Sequence, residues 1–129
     1  MLKEIVICVI IVTLIFGGNI ITQNYTNNSV DKTSEELDRL REEIIKEDAN
    51  SEIANQKINE ISSNWNRKHK KLAYYIEHDE LEKVETNLSA LKGYIEVNEF
   101  EEVVAELDRT IYILQHIKNK NIFNLENIF

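Results

Sequence analysis

A phrase of nineteen residues occurs twice in succession, and it constrains the fold more than any other feature. "YYIEHDELEKVETNLSALK" covers residues 74–92, and "GYIEVNEFEEVVAELDRTI" covers residues 93–111. Within the two copies, Asp79 and Asn98 each precede a Glu by three residues. That spacing resembles a capping box, in which the two side chains satisfy free backbone amides at the start of a helix. Each copy therefore predicts the end of one helix, a tight corner and the capped start of the next.

The preceding segment, residues 34–76, has the period of a single long helix. Its apolar residues recur at steps of three and four, the spacing of one helical face. Proline is absent and the chain has three glycines, so few residues interrupt helices. The predicted fold class is all-α: an N-terminal transmembrane helix, then this long helix folded with two shorter ones (about 80–96 and 99–118) into an antiparallel three-helix bundle. A kink is expected near "DANS", residues 48–51, and Trp65 is expected to anchor the core.

The apolar run Ile5–Ile21 is predicted to be a membrane anchor. It contains no charged residue, and its length lies at the short end of the range of about 17–25 residues that spans a bilayer. A cleaved secretory signal is the alternative. A cut after Gly18 would place the large Phe16 at the position where signal peptidase prefers a small residue, which favours an uncleaved anchor over residues 1–22.

The charges around this run predict a cell-membrane protein with one span. Lys3 precedes the run, and no further Lys or Arg follows it until Lys32. Positive residues favour the cytoplasmic side, so we expect a cytoplasmic N-terminus and an extracytoplasmic bulk. The single cysteine, Cys8, permits no intramolecular disulfide. The net charge of −8 argues against nucleic acid as a partner, because an acidic body repels phosphates.

The sequence divides into five expected parts. They are the anchor (1–22), a polar juncture (23–33), a helical stalk (34–55), the three-helix bundle (56–118) and an apolar C-terminal tail (119–129). The long helix would extend well beyond the two shorter ones, which leaves the apolar residues of the stalk without a partner in the chain. The stalk is therefore expected to pair with a second copy or to dock on another membrane protein. The tail is expected to fold back on the bundle or to act as a docking peptide.

The basic run "NRKHKK", which ends at Lys71, has two interpretations. Near the end of a helix, these residues favour the helix dipole and can pair with acids on the other helices. Alternatively, they form a docking site for phosphate-rich lipid headgroups, wall polymers or an acidic partner. The candidate partner contacts from the stalk, the basic run and the tail are Leu37, Leu40, Ile44, Arg67, Lys68, Lys70, Lys71, Ile128 and Phe129.

The triplet His78-Asp79-Glu80 is the one constellation that resembles ligand chemistry, with His69 or His116 as a further ligand. Residues adjacent in sequence do not converge on one face of a helix, however, and Asp79 is already interpreted as a cap. No catalytic triad, phosphate-binding loop or nucleotide fingerprint is present. We therefore predict no catalytic residue, no cofactor and no metal, and a protein that is not an enzyme.

Three pieces of the sequence carry a resemblance to a known family. "W" followed after six residues by "LAYYIEHDELEKVE", then "YIE-x-N", and the terminal "NIF" resemble domain-of-unknown-function family 4363, short proteins of spore-forming, low-GC Gram-positive bacteria. The resemblance covers roughly Trp65–Phe129 and the anchored N-terminus. It implies a membrane helix and a helical extracytoplasmic domain with no assigned activity. The expected function is a non-enzymatic accessory or interaction protein of a membrane complex. The alternative is a ligand- or ion-sensing extracytoplasmic module.

Overall fold

The computed structural model describes residues 1–46 and 49–128, with side chains described as far as residue 121. These residues form α-helices joined by short connections, and no strand occurs among them, so the predicted all-α class is confirmed. The helices are α1 (Leu2–Ile45), α2 (Ser51–Leu72), α3 (His78–Glu96) and α4 (Phe100–Ile128).

The four helices form an antiparallel bundle in which each helix contacts the two beside it in the order α1, α2, α3, α4 and back to α1. Two ion pairs show the direction of α1 against α4. Asp31 contacts Lys118, and Arg41 contacts Asp108, so the numbering rises along one helix as it falls along the other. We call the end that contains Asp31, the α2–α3 corner and the last turns of α4 the proximal end. The opposite end is the distal end.

Helix α1 differs most from the sequence-based expectation. The predicted juncture and the predicted stalk as far as Ile45 form one continuous helix with the apolar run, and the second half of that helix is the fourth member of the bundle. The end of the predicted stalk, from Ser51, belongs to α2. Leu37, Leu40 and Ile44 lie in the core, so the prediction that they lack a partner within the chain is wrong. The core face of α1 also continues upstream through small polar side chains, which allow close packing. It comprises Thr26, Ser29, Val30, Thr33, Ser34, Leu37, Leu40 and Ile44.

The predicted long helix over residues 34–76 is two helices, α1 and α2, separated near the expected weak point. The backbone of Lys46 is extended, with φ −64° and ψ 142°, which ends α1. Asn50 then caps α2, because its side chain accepts a hydrogen bond from the backbone amide of Glu52. The chain therefore reverses direction between Lys46 and Asn50, and α2 returns along α1. Asp48 lies outside the described residues.

The corners lie at residues 73–77, which start one residue before the first repeated phrase, and at 97–99 within the second, but the predicted caps do not form there. Helix α3 begins at His78, so Asp79 lies inside the first turn, where its charge suits the positive end of the helix dipole. Its N-cap residue is Glu77, which makes no side-chain capping hydrogen bond.

Asn98 ends α3 and does not cap α4. Its φ of 59° places it in the left-handed region. The backbone amide of Asn98 donates to the carbonyl of Ile95 at 3.2 Å, and that of Glu99 donates to the carbonyl of Tyr94 at 3.0 Å. These two bonds make a Schellman motif, in which a left-handed residue turns the chain and satisfies the last carbonyls of a helix.

Helix α4 continues ten residues beyond the predicted end at 118, as far as Ile128. The expected tail is therefore the last turns of α4 up to that residue. The side chain of Ile128 and all of Phe129 lie outside the described residues.

The core consists of apolar residues from all four helices, spaced by three and four. Trp65, from α2, is completely buried, as expected of a core anchor. The largest fully buried side chains are Trp65, Leu37, Leu40, Ile58, Leu72, Leu81, Leu91, Ile95, Leu107 and Leu114.

The first half of α1 lies outside this core. Its apolar residues are exposed, and none of its most apolar stretch is buried by the bundle. By length and composition α1 could cross a membrane, and it is the one helix in the described part of the chain that could.

Candidate functional site

A basic groove lies between α1 and α2, extending from the proximal end towards the middle of the bundle. It is a shallow, open depression of about 600 Å³. Its lining residues are Tyr25 and Lys32 of α1 and Asn64, Arg67, Lys68, Lys70 and Lys71 of α2. Five cationic side chains therefore line one depression, and they come from two consecutive helices.

The predicted basic run is divided between two faces of α2. Lys68 and Lys71, three residues apart, lie on the side facing α1 and line the groove. His69 lies on the other side, where its Nδ1 is 2.5 Å from a carboxylate oxygen of Glu85 on α3. The last turn of α2 contains His69, Lys70 and Lys71, a position in which positive charge favours the helix dipole.

Lys68 is the most enclosed cation of the groove. Its Nζ donates a hydrogen bond to the hydroxyl of Thr33 at 3.1 Å, which ties α2 to α1. Burial lowers the pKa of Lys68, Glu36 opposes that effect by raising it, and Lys32 adds a further lowering. The groove thus holds a positive charge that is partly desolvated and lies near a second one.

Most cations of the groove lack an acidic partner. No carboxylate of the described residues lies within ion-pair distance of Lys32, Arg67, Lys70 or Lys71. Arg67 instead donates to Asn64, and the Lys71 ammonium lies 5.5 Å from the centre of the Tyr25 ring, a cation–π distance. The expected pairing with acids on the other helices is therefore found only for His69.

The cations of α4 at the same end are paired. Lys118 Nζ contacts both carboxylate oxygens of Asp31, at 2.8 and 3.1 Å. Lys120 lies 3.4 Å from Glu77 and 3.5 Å from Glu80, and its hydrogen bond to Glu77 is the main reason that its pKa is raised. The unpaired positive charge at the proximal end is therefore concentrated in the groove, where an anion would find several free donors.

Tyr75 fixes the α2–α3 corner beside the groove. Its hydroxyl donates to the carbonyl oxygen of Thr22 at 3.1 Å and lies 2.8 Å from the hydroxyl of Thr26. Burial raises the pKa of Tyr75, and the hydrogen bond to Thr26 partly opposes this shift. The neighbouring Tyr74 is almost fully exposed at the same corner.

A histidine pair lies on the other side of the same corner. His69 and His78 are 6.2 Å apart between ring centres and nearly perpendicular. Each ring also contacts a carboxylate, since His69 contacts Glu85 and His78 Nε2 lies 3.3 Å from Glu82. Among the described residues, no three His, Cys, Asp or Glu side chains are grouped so that they could hold a metal ion. His116 is exposed on α4.

The groove was only half predictable from the sequence. Arg67, Lys68, Lys70 and Lys71 were candidate contacts, and the structure brings them together. Tyr25 and Lys32 were not, because nothing in the sequence indicated that α1 is the opposite wall. Leu37, Leu40 and Ile44, also candidates, are buried and unavailable to a partner.

Comparison with known proteins gives one match. A family model for a domain of unknown function (DUF4363) matches residues 20–128, which include the entire bundle. No curated protein and no solved structure matches the chain.

Proposed function

The chain belongs to the family of the domain of unknown function DUF4363, and we propose that it is a membrane-anchored, non-enzymatic accessory or interaction protein of a membrane complex. The observation that carries the proposal is the continuity of α1. One helix begins as an exposed apolar segment, passes through Gly17 and Gly18 without a break and ends inside the core of the bundle. Exposing an apolar surface of this size to water is unfavourable, whereas the hydrocarbon core of a bilayer can accommodate it.

The continuity also sets how the bundle is held. A helix without a hinge transmits the orientation of the anchor to the domain, whereas a flexible linker would not. The bundle would therefore remain at the membrane surface with its proximal end facing the bilayer. Lys3 before the anchor favours a cytoplasmic N-terminus, which places the bundle outside the cell.

The surface of the bundle supports a role in interaction. The grooves at Leu40–Lys57 and Tyr25–Lys71 are open, and they lack the enclosed form that small-molecule sites usually have. Since Leu37, Leu40 and Ile44 belong to the core, these three residues of the stalk do not form an interface. The exposed side of the anchor and the proximal end beside it are the surfaces best placed for a membrane-protein partner.

Fractionation and site-directed labelling test the anchor and its orientation. The protein should remain in membranes after carbonate extraction. In a Cys8→Ser background, a cysteine introduced at the exposed Ser89 should react with an impermeant maleimide on intact cells, whereas one introduced at Lys3 should react only after lysis. Recovery in the soluble fraction would overturn the anchor, and the reverse labelling pattern would overturn the orientation.

Crosslinking in intact membranes, followed by affinity purification in mild detergent and mass spectrometry, tests the interaction role. The same membrane protein should be recovered in repeated preparations. A Leu37→Ala variant should recover the same partner if it is folded, because that residue faces the core. A monomer recovered without any partner in every preparation would count against the proposal.

The approach of His69 to His78 favours one second candidate, an ion-sensing extracytoplasmic module. The two imidazoles would have to be completed by water or by a partner, because no three ligand side chains are grouped among the described residues. In this case Zn²⁺ should raise the thermal midpoint of the full chain, and His78→Ala should abolish the effect. Equilibrium dialysis without bound Zn²⁺ would remove this candidate.

A further inference from the structure

We propose that the basic groove between α1 and α2 binds the phosphate of an anionic lipid headgroup and thereby holds the bundle against the bilayer surface. This inference rests on the anchor proposed above. It adds a second contact between the protein and the membrane. Lys70 and Lys71 of α2 make this contact electrostatically, and Tyr25 of α1 lies beside them.

The position of the groove along α1 carries the argument. Tyr25 follows Ile21, the last apolar residue of the anchor, by four residues, and Lys32 follows it by eleven. At about 1.5 Å per residue, these positions lie about 6 Å and about 17 Å beyond the end of the anchor. The headgroup layer of one leaflet is about 5–8 Å thick. Tyr25, and Lys71 over its ring, are therefore at headgroup depth, whereas Lys32 and Lys68, which contacts Thr33, lie further from the bilayer.

The charges in the groove fit a phosphate. Lys32, Arg67, Lys70 and Lys71 have no ion-pair partner among the described residues, and the charge of Glu36 on α1 acts on Lys68. Asp31, the other acid nearby, is engaged by Lys118. A bound phosphate would supply the missing counter-charge and reduce the repulsion between Lys68 and Lys32, which contributes to the lowered pKa of Lys68.

The surroundings of the groove favour a lipid over a free phosphate or an acidic protein. Tyr74 is exposed and Tyr75 partly exposed at the adjoining corner, and tyrosines are enriched where proteins meet the membrane interface. The pairing of Lys118 with Asp31 sets the register of α4 on α1, so the ten residues of α4 after Lys118 extend about 15 Å towards the anchor. Tyr25 and the groove lysines, with Tyr74 and Tyr75 at the adjoining corner, therefore lie at the end of the bundle from which the anchor leaves.

Amine acetylation of the full chain in nanodiscs, followed by mass spectrometry, tests the proposal. The chain is placed in nanodiscs of phosphatidylcholine alone or of phosphatidylcholine mixed with phosphatidylglycerol. Acetylation of Lys70 and Lys71 should be at least about fivefold slower with phosphatidylglycerol, because each lysine held at an anionic surface gains roughly that factor. Lys46 and Lys92, towards the distal end, should react at equal rates in both. Salt at about 0.5 M should largely restore the rates, since it shortens the range of surface charge.

Lys118 and Lys120 provide an internal control at the proximal end. If these lysines slow as much as Lys70 and Lys71, only the general surface potential is acting and the groove is not a site. If inorganic phosphate added to phosphatidylcholine nanodiscs gives the same protection, the ligand is free phosphate and the lipid proposal fails. Equal rates in both nanodiscs would also overturn it. Protection that appears only when a partner protein is added would assign the groove to that protein.

A charge-matched pair of variants gives an independent measurement. Phosphatidylglycerol retained by the purified chain in mild detergent is counted by native mass spectrometry. Lys70→Gln with Lys71→Gln should reduce the retained lipid by about 25-fold, roughly fivefold for each lysine, and Lys46→Gln with Lys92→Gln should leave it unchanged. An equal reduction in both would contradict the proposal. Both double variants should still fractionate with membranes, so a failure of the groove is distinguished from a failure of the anchor.

Discussion

The hydroxyl of Tyr75 lies 2.8 Å from the hydroxyl of Thr26, 49 residues earlier in the chain. The Thr26 hydroxyl donates in turn to the carbonyl of Thr22 at 2.8 Å, and the same carbonyl lies 3.1 Å from the Tyr75 hydroxyl. The Tyr75 and Thr26 hydroxyls and the Thr22 carbonyl thus make three close contacts with two hydroxyl hydrogens. This cluster connects the α2–α3 corner to α1 at the point where that helix leaves the bundle.

Removing the Tyr75 hydroxyl should weaken the corner slightly. Tyr75→Phe should lower the free energy of unfolding by about 1 kcal/mol, the usual contribution of one neutral hydrogen bond. The loss should be small because Thr26 keeps its bond to the Thr22 carbonyl. Chemical denaturation of the full chain in detergent measures it. Tyr74→Phe, at an exposed position on the same corner, is the control and should change little.

Burial should also move the ionisation of Tyr75 above the usual tyrosine range. Its pKa is raised chiefly by burial, so above pH 10 the unfolded chain loses this proton while the folded chain keeps it. The contribution of Tyr75 to stability is therefore complete below pH 10 and is lost as the pH rises through its folded value. Lys68, whose pKa is lowered, acts in the opposite sense as the pH approaches 10.5, so overall stability cannot isolate Tyr75. Tyrosinate absorbance can, because Tyr75→Phe should remove a component that ionises above the usual tyrosine range. A variant that keeps this component would contradict the assignment.

The burial of Leu37 provides a test of the four-helix bundle. Leu37→Ala should reduce the free energy of unfolding by about 2–5 kcal/mol, the range for a buried leucine whose removal leaves a cavity. Ile45→Ala, on the same helix with 56% of the residue exposed, should cost less than about 1 kcal/mol. Equal effects of the two substitutions would mean that the second half of α1 does not pack on the other helices.

The sequence predicted the corners well and α1 poorly, for one physical reason. Apolar spacing reveals a helix when its core face is made of large apolar residues, as α3 shows with Leu81, Val84 and Leu88. On α1 the same spacing passes through Thr26 and Thr33, which are buried but polar. Counting only apolar residues therefore ended the stripe too early, and residues 23–33 of a core helix were interpreted as a polar juncture.

The caps and the groove show two further features that the sequence alone could not predict. An Asn three residues before a Glu fits both a capping box and the end of a helix, and only the backbone angle of Asn98 distinguishes them. The basic run could be recognised as a cationic segment, but the site also requires Tyr25, which lies about 40 residues upstream. The side of the groove formed by α1 could be located only after the direction and register of that helix were known.

Asn98 should tolerate glycine and resist alanine. A residue with a Cβ costs about 1–2 kcal/mol in the left-handed region, and asparagine and glycine are the residues that adopt it most readily. Asn98→Ala should therefore destabilise the bundle by about 1 kcal/mol, and Asn98→Gly should be close to neutral. Asn66→Ala, at an exposed position inside α2, should have little effect or stabilise slightly, because alanine favours helix. If Asn98→Ala is neutral, the Schellman turn is not what closes α3.

Trp65 should tolerate phenylalanine far better than alanine. Its side chain is completely buried, and its indole Nε1 has no hydrogen-bond partner among the described residues. Trp65→Ala removes the whole ring and should cost about 3–5 kcal/mol. Trp65→Phe leaves a smaller cavity and also removes an unsatisfied donor, which by itself costs about 1–3 kcal/mol when buried. The phenylalanine variant should therefore lose less than about 2 kcal/mol.

Circular dichroism is the appropriate probe, because both variants lack the only tryptophan, and Ser63→Ala on the exposed side of α2 is the control. A loss for Trp65→Phe as large as that for Trp65→Ala would show that the indole nitrogen has a partner, such as a buried water.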